Sequence, residues 1–183
     1  MKTRTVQIAF VLVGTVLAAA LQDMLPAFGG AKPPVLAALV LAWALLEPRP
    51  REHGADKRSF YAPRWIPSAL LAGAFEDALS GFPTGCATGF LLLAGATARL
   101  LRPATRMLAP AALGLAATVT AASCHELWLC MWGVAGDDPS GLVRFFAAAL
   151  PAAPTGALVF VLLPRLTHAA GFDGPVLDGR WPR

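Results

Sequence analysis

The chain has 183 residues, of which 56% are hydrophobic and only 14% charged, with a formal net charge of +4; its mean hydropathy is +0.59. Ordinary soluble domains carry about 25% charged residues, and the apolar runs here are too many and too closely spaced to form one soluble core, so composition points to an integral membrane protein. The basic residues are distributed among loops without a recognition motif or interleaved aromatics, which argues against nucleic-acid binding.

Six apolar segments are marked off by charge and by Pro/Gly punctuation: 5–21, 33–46, 65–79, 82–101, 107–133 and 142–163. The first follows a basic head and ends in small residues, Ala18 to Ala20, and so also resembles a signal peptide, whose removal would leave the other five spans oriented as before. The second and third are shorter than the roughly 17 residues that a crossing requires, and must borrow flanking residues, thin the bilayer or enter it incompletely. Between them lies a basic stretch, 47–64, carrying Arg49, Arg51, Lys57, Arg58 and Arg64. In the sixth, Pro151 and Pro154 should kink or interrupt the helix. Cys86, Cys124 and Cys130 all fall within apolar runs without metal-type spacing, and read as small packing residues.

Charge tests the count, because cytoplasmic loops carry the excess of Lys and Arg. With six spans and both termini cytoplasmic, thirteen basic and five acidic residues lie inside, netting +8, and two basic and six acidic lie outside, netting −4. The expected architecture is therefore an all-α integral membrane protein: one compact polytopic bundle of six transmembrane helices over residues 1–183, with residues 47–64 a cytoplasmic loop. That loop could contact anionic lipid or cytoplasmic partners, although setting topology is its simpler role.

The third segment raises the main chemical question, because Glu76 and Asp77 sit side by side in an apolar run. On a helix, Ala69, Ala72, Gly73, Glu76, Asp77 and Ser80 share one small, polar face, and Leu70, Leu71, Ala74, Phe75, Ala78 and Leu79 fall opposite. Both carboxylates should thus point into the bundle. The short connection Ser80-Gly-Phe-Pro-Thr-Gly85 reads as a turn, and Gly81, Gly85 and Gly89, spaced by four, suggest close approach of segments three and four as an antiparallel pair. Asp77 should lie roughly 18 Å beyond Trp65 and so near this turn, in the outer half. A second polar cluster, His125 and Glu126, is expected near the outer boundary, either as a helix end meeting water or in contact with the Glu76–Asp77 turn, with Trp128 and Trp132 in an interfacial belt.

Catalysis has little support. HExxH, GxSxG, phosphate-loop and GxGxxG motifs are absent from the sequence. Adjacent carboxylates on one helix point roughly 100° apart and do not flank a common substrate, so capping of free backbone amides or helix-to-helix hydrogen bonding is the simpler use. No catalytic, metal-ligating or cofactor-binding residues are assigned.

Three stretches together resemble the rod-shape-determining protein MreD family of bacteria: "LQDMLPAFGGAKPPVLAALVLAWALLEP", "GAFEDALSGFPTGCATGFLLLAG" and "PTGALVFVLLPRL". The central turn is the most specific, with Asp77 at the family's acidic position, Gly81 and Pro83 in the turn, and Gly85 opening the next span; Glu76 is the neighbouring acid. Pro34 departs from the pattern, in which an acidic residue often follows the proline corresponding to Pro33. The resemblance implies a non-enzymatic inner-membrane scaffold of the cell-elongation machinery that binds MreC directly and acts with MreB, RodA and a class B penicillin-binding protein in lateral peptidoglycan synthesis. The polar face of segments three and four would then pack internally or against the MreC membrane helix.

The alternative is a small-molecule transporter component, such as the substrate-binding subunit of an energy-coupling-factor vitamin transporter, a six-helix membrane protein expected to share a similar fold. That reading predicts an outward pocket with convergent polar groups, for which the chain has few intramembrane polar residues. The scaffold reading predicts a filled bundle and an exposed packing groove.

Overall fold

A computed structural model describes residues 4–27, 32–46, 63–81, 83–105, 108–132 and 141–170. These form six helices and, among the described residues, no strand: α1 (Arg4–Met24), α2 (Val35–Leu46), α3 (Trp65–Ser80), α4 (Cys86–Thr105), α5 (Pro110–Met131) and α6 (Gly141–Ala169). The helices coincide with the six apolar segments to within a few residues at each end. Among the described residues one stretch, Phe146–Ala169 of α6, is a helix both long and apolar enough to cross a membrane; Ile8–Met24 and Val35–Leu46 are shorter apolar helices.

The bundle is built around α2. All twelve of its residues are buried, and it packs against each of the other five helices. A helix that is apolar on every side has no face to give to solvent, and surrounding it with protein is the arrangement that buries all of it. This also accounts for its length. At 1.5 Å per residue α2 spans only about 18 Å, and it lies inside a shell of longer helices.

Neighbouring helices meet through small residues and a few buried polar pairs. Along α1 and α3, Thr15 and Ser68 hydroxyls lie 3.2 Å apart. Thr15 already donates its proton to the Val11 carbonyl at 2.8 Å, so Ser68 is the donor of this bond. Farther along, Gln22 reaches Glu76, which makes α1 and α3 parallel. α3 and α4 are antiparallel: Gly73 faces the Thr88 backbone, where an added Cβ would lie 2.7 Å from Thr88 N, and Trp65 lies across Gly95, where a Cβ would come within 2.6 Å of the ring. Replacing Gly73 with alanine should therefore cost about 1–3 kcal/mol, read as a lower unfolding midpoint in mixed micelles; an unchanged midpoint would contradict this packing.

The glycines at four-residue spacing do different work from the close approach expected of them. Gly81 and Gly85 meet no neighbour that a Cβ would touch, and both have positive φ, 66° and 94°. They shape the turn: Gly81 is the left-handed C-cap of α3, a conformation that glycine enters without steric cost. Gly89 has room for a Cβ, with only the Trp128 ring at 3.7 Å.

The most extensive helix pair is α5 with α6, again antiparallel. Gly114 and Gly156 sit against each other's backbone, with Thr118 and Phe160 closing the contact. α6 runs unbroken through Pro151, Pro154 and Pro164, so the expected interruption does not occur. Each proline removes one helical hydrogen bond, yet the chain stays helical with Thr155 and Thr167 hydroxyls donating to the Pro151 and Pro164 carbonyls at 2.6 and 2.9 Å.

The outward surface of the helices is strongly apolar. Leu12, Val13, Leu17 and Leu21 on α1, Leu70 and Leu79 on α3, Leu100 and Leu101 on α4, Leu127 and Met131 on α5, and Leu150 and Leu158 on α6 are all exposed. Two of the three cysteines share this face: Cys86 is buried, but Cys124 and Cys130 are exposed, so only Cys86 is the packing residue expected.

Charge separates along the bundle. At one end Arg64 lies 5.6 Å over the Trp43 ring, and Arg99 donates to the Ala44 carbonyl at 3.2 Å, bringing together the C-termini of α2 and α4 and the start of α3. At the other end are Asp23, Glu76, Asp77 and Glu126, with Lys32 paired to Asp23 at 2.5 Å. Arg49, Arg51, Lys57 and Arg58 lie outside the described residues.

Candidate functional site

The acidic end holds two sites, and the adjacent carboxylates of α3 diverge between them. Asp77, buried at 8% exposure, turns toward the start of α4. Its Oδ2 accepts the Gly85 N–H at 2.9 Å and the Thr88 hydroxyl at 3.0 Å, and its Oδ1 accepts the Ala87 N–H at 2.7 Å. The first amides of a helix have no partner within it, and here the Cys86 N–H bonds the Pro83 carbonyl at 3.0 Å while Asp77 takes those on either side. Asp77 is thus an N-cap supplied from the preceding helix, and its negative charge also complements the positive end of the α4 dipole. With three donors on two oxygens, this carboxylate is committed to structure. The sequence expectation that Asp77, Gly81, Pro83 and Gly85 form one turn corresponds to this geometry: Pro83 supplies a carbonyl, Gly85 an amide, and both glycines the reversal.

Glu76 takes the other direction. Its Oε1 accepts from Gln22 Nε2 at 3.3 Å, and Gln22 Oε1 in turn accepts the Leu36 N–H at 3.0 Å. Gln22 therefore caps α2 and ties it to α1 and α3. Glu76 lines a cavity of about 270 Å³ with Gln22, Lys32, Ser80, His125 and Glu126 among its polar residues and Phe90, Leu91, Ala121, Ala122 and Leu129 among its apolar ones. His125 and Glu126 thus belong to the same chamber as Glu76, and the polar cluster is more than a helix end meeting water. The His125 ring packs on Phe90, with centroids 4.8 Å apart.

Trp128 is a correction to the aromatic belt. It faces α4, donating Nε1–H to the Cys86 carbonyl at 3.0 Å and stacking near Phe90, while Trp132 beside it is exposed. An indole that has found a buried acceptor packs as core rather than as an interfacial anchor.

On the side of the bundle, α4 and α5 touch little and leave an apolar groove of about 540 Å³, with Leu41 and Leu45 of α2 as its floor. Ala94, Ala98, Ala117 and Ala121 line it with Leu93, Leu101 and Leu127, and Cys124 opens onto it. The small polar face of α3, by contrast, is used internally against Thr88 and the α4 start. The open groove of the bundle thus lies at α4–α5, not at α3–α4.

Gln22, Thr88 and the α4–α5 position of the groove were not expected from sequence, and the acidic-end cavity departs from the filled bundle that the scaffold reading predicts. Gln22 had a signal, an amide in the last turn of an apolar segment at the same end as Glu76. Thr88 had one too, as a hydroxyl three residues beyond Gly85. Among the described residues no three His, Cys, Asp or Glu side chains gather in a way that could hold a metal ion. Comparison with protein-family models, curated proteins and solved structures gave no match.

Proposed function

We propose that this chain is a non-enzymatic scaffold of the bacterial inner membrane, an MreD-type protein with six membrane-crossing helices and both termini cytoplasmic, which binds the membrane helix of MreC and through it supports the assembly of MreB, RodA and a class B penicillin-binding protein. The observation that carries this reading is the α4–α5 groove: an apolar cleft of about 540 Å³, walled by alanines that permit close backbone approach and opening on an apolar surface. Contiguous exposed apolar area of this kind marks a membrane or partner face. α5 and α6, at about 33 and 43 Å, exceed the roughly 30 Å hydrocarbon core, and α2 and α3 fall short of it; the shorter helices are carried inside the longer ones. The separation of Arg64 and Arg99 from the acidic end agrees with the charge division of the sequence.

Filling the groove tests this directly. Ala117→Trp is expected to lower recovery of MreC in mild-detergent capture at least tenfold at equal membrane abundance, and recovery at the wild-type level would remove the groove from the account. The native Cys124 offers a second readout, because a cysteine walked along the MreC membrane helix should form a disulfide with it at a few positions spaced by one helical turn. Topology is checked with reporter tags at the C-terminus and within residues 137–140; an outward C-terminus would refute the proposed orientation.

The acidic-end cavity favours the second reading, the substrate-binding membrane subunit of a small-molecule transporter, because it offers the convergent polar groups which that reading requires. Co-purification of an energising module would support it.

A further inference from the structure

The cavity at the acidic end differs in kind from the lateral groove. Every helix contributes to its wall: Gln22 from α1, Ala37 from α2, Glu76 and Ser80 from α3, Phe90 from α4, His125 from α5 and Ala148 from α6. A recess walled by all six helices and open at its mouth beside Lys32 suits a small molecule better than a partner helix, whose diameter is about 10 Å. Its volume of about 270 Å³ lies just under the ~300–1,000 Å³ range of drug-sized ligand sites, so the occupant is small.

The polar groups define its charge. Glu76 Oε1 is fixed by Gln22, itself fixed by the Leu36 amide, while Glu76 Oε2 has no hydrogen-bond partner among the described residues. This half-buried oxygen is open to a donor entering the cavity, and a charged donor makes the stronger bond to a carboxylate. The fixed cation among the described lining residues, Lys32, sits at the mouth and is engaged by Asp23. The absence of a three-ligand grouping among the described residues speaks against a compact metal ion, and the aromatic and aliphatic wall formed by Phe90, Leu91 and Leu129 is suited to an organic body.

We propose that this cavity binds a small organic ammonium ion, with the charged nitrogen on Glu76 Oε2 and the apolar remainder against Phe90 and Leu91. A free amine and the headgroup of phosphatidylethanolamine both present this chemistry. The cavity opens at the acidic end and the groove on the α4–α5 flank, with Phe90 and Ala121 as a shared wall; Glu76 lines only the cavity, so loss of ammonium binding in Glu76→Gln would leave capture of MreC untouched.

The test uses the full chain in phosphatidylglycerol nanodiscs and measures binding of phenethylammonium by titration calorimetry, with 2-phenylethanol and phenylacetate as size-matched neutral and anionic probes. Saturable one-to-one binding of the ammonium, at least tenfold tighter than either control, is expected. Glu76→Gln, nearly isosteric and able to keep the Gln22 contact, should weaken it at least tenfold with little change in the unfolding midpoint, and Ala122→Phe should abolish it by filling the chamber. Competition by phosphatidylethanolamine added to the nanodiscs would identify a lipid headgroup as the source, and unchanged affinity a free amine. Equal binding of all three probes, or binding unaltered by Glu76→Gln, would overturn the proposal.

Discussion

Replacing Asp77 with alanine is expected to lower the unfolding free energy by about 2–3 kcal/mol, because one carboxylate serves three donors. The wild-type carboxylate satisfies the Gly85 and Ala87 amides and the Thr88 hydroxyl together. Alanine leaves these donors without their acceptor; the Ala87 amide is buried, whereas Gly85 is exposed and can turn to water, so the loss of a buried partner, about 1–3 kcal/mol, dominates. Asp77→Asn keeps one acceptor oxygen but turns an amide nitrogen toward a donor, so a smaller loss of about 1–2 kcal/mol is expected. Reversible unfolding in mixed micelles gives the comparison, and the order wild type, Asn, Ala is the diagnostic result. Equal stability of all three would show that the turn is held by something other than this carboxylate.

The second large effect concerns α5 and α6. At Gly156 an added Cβ would lie 2.7 Å from Thr118 Cβ and closer still to the Gly114 carbonyl; at Gly114 it would lie 2.8 Å from both Gly156 C and Phe160 Cβ. Backbone cannot rotate away as a side chain can, so the helices must separate along their most extensive contact. Overpacking costs typically 1–3 kcal/mol and occasionally more; Gly156→Leu is expected at or above the top of that range, with loss of the folded protein from membranes as the extreme outcome. Gly156→Ala and Gly114→Ala, each near 2 kcal/mol, should be strongly non-additive, because once either has moved the helices apart the other meets less resistance. Simple additivity of the pair would mean that the two glycines do not face each other.

Much of this structure was legible in the sequence, and the boundary is physical. Helix positions followed from apolar runs broken by charge, proline and glycine. Most of the inward face of α3 followed from its period, since Ala69, Ala72, Gly73 and Asp77 are buried and Leu70, Ala74 and Leu79 are exposed, although Glu76 is half-buried and Ser80, at the helix end, is exposed. The Asp77 turn was legible because both partners lie within a dozen residues of each other. What a helical period cannot carry is lateral arrangement. α2 is apolar all round and gives no directional signal, so its central place depends on what the other five helices leave open. The Gly114–Gly156 contact joins residues that are distant in sequence, and in an alanine-rich chain two glycines do not announce each other. Trp128 read as interfacial because its acceptor, the Cys86 carbonyl, is a backbone atom on another helix. The prolines of α6 do not interrupt it for a related reason: loss of a few helical bonds is tolerated when neighbours hold the segment in place.

The two carboxylates show how the site divides. Their adjacency invited one role for both, yet the helical rotation between them sends Asp77 to the turn and Glu76 to a chamber walled by every helix. The first is architecture, and the second is available for binding. The apolar groove lies on the α4–α5 flank, where the two helices touch little.

The scaffold reading is tested most directly by affinity capture of the full-length chain from membranes in mild detergent, with bound proteins identified by mass spectrometry. The account predicts recovery of MreC in near-stoichiometric amount, lost at least tenfold in Ala117→Trp at equal abundance of the chain. Recovery of a transporter energising module in place of MreC would contradict it.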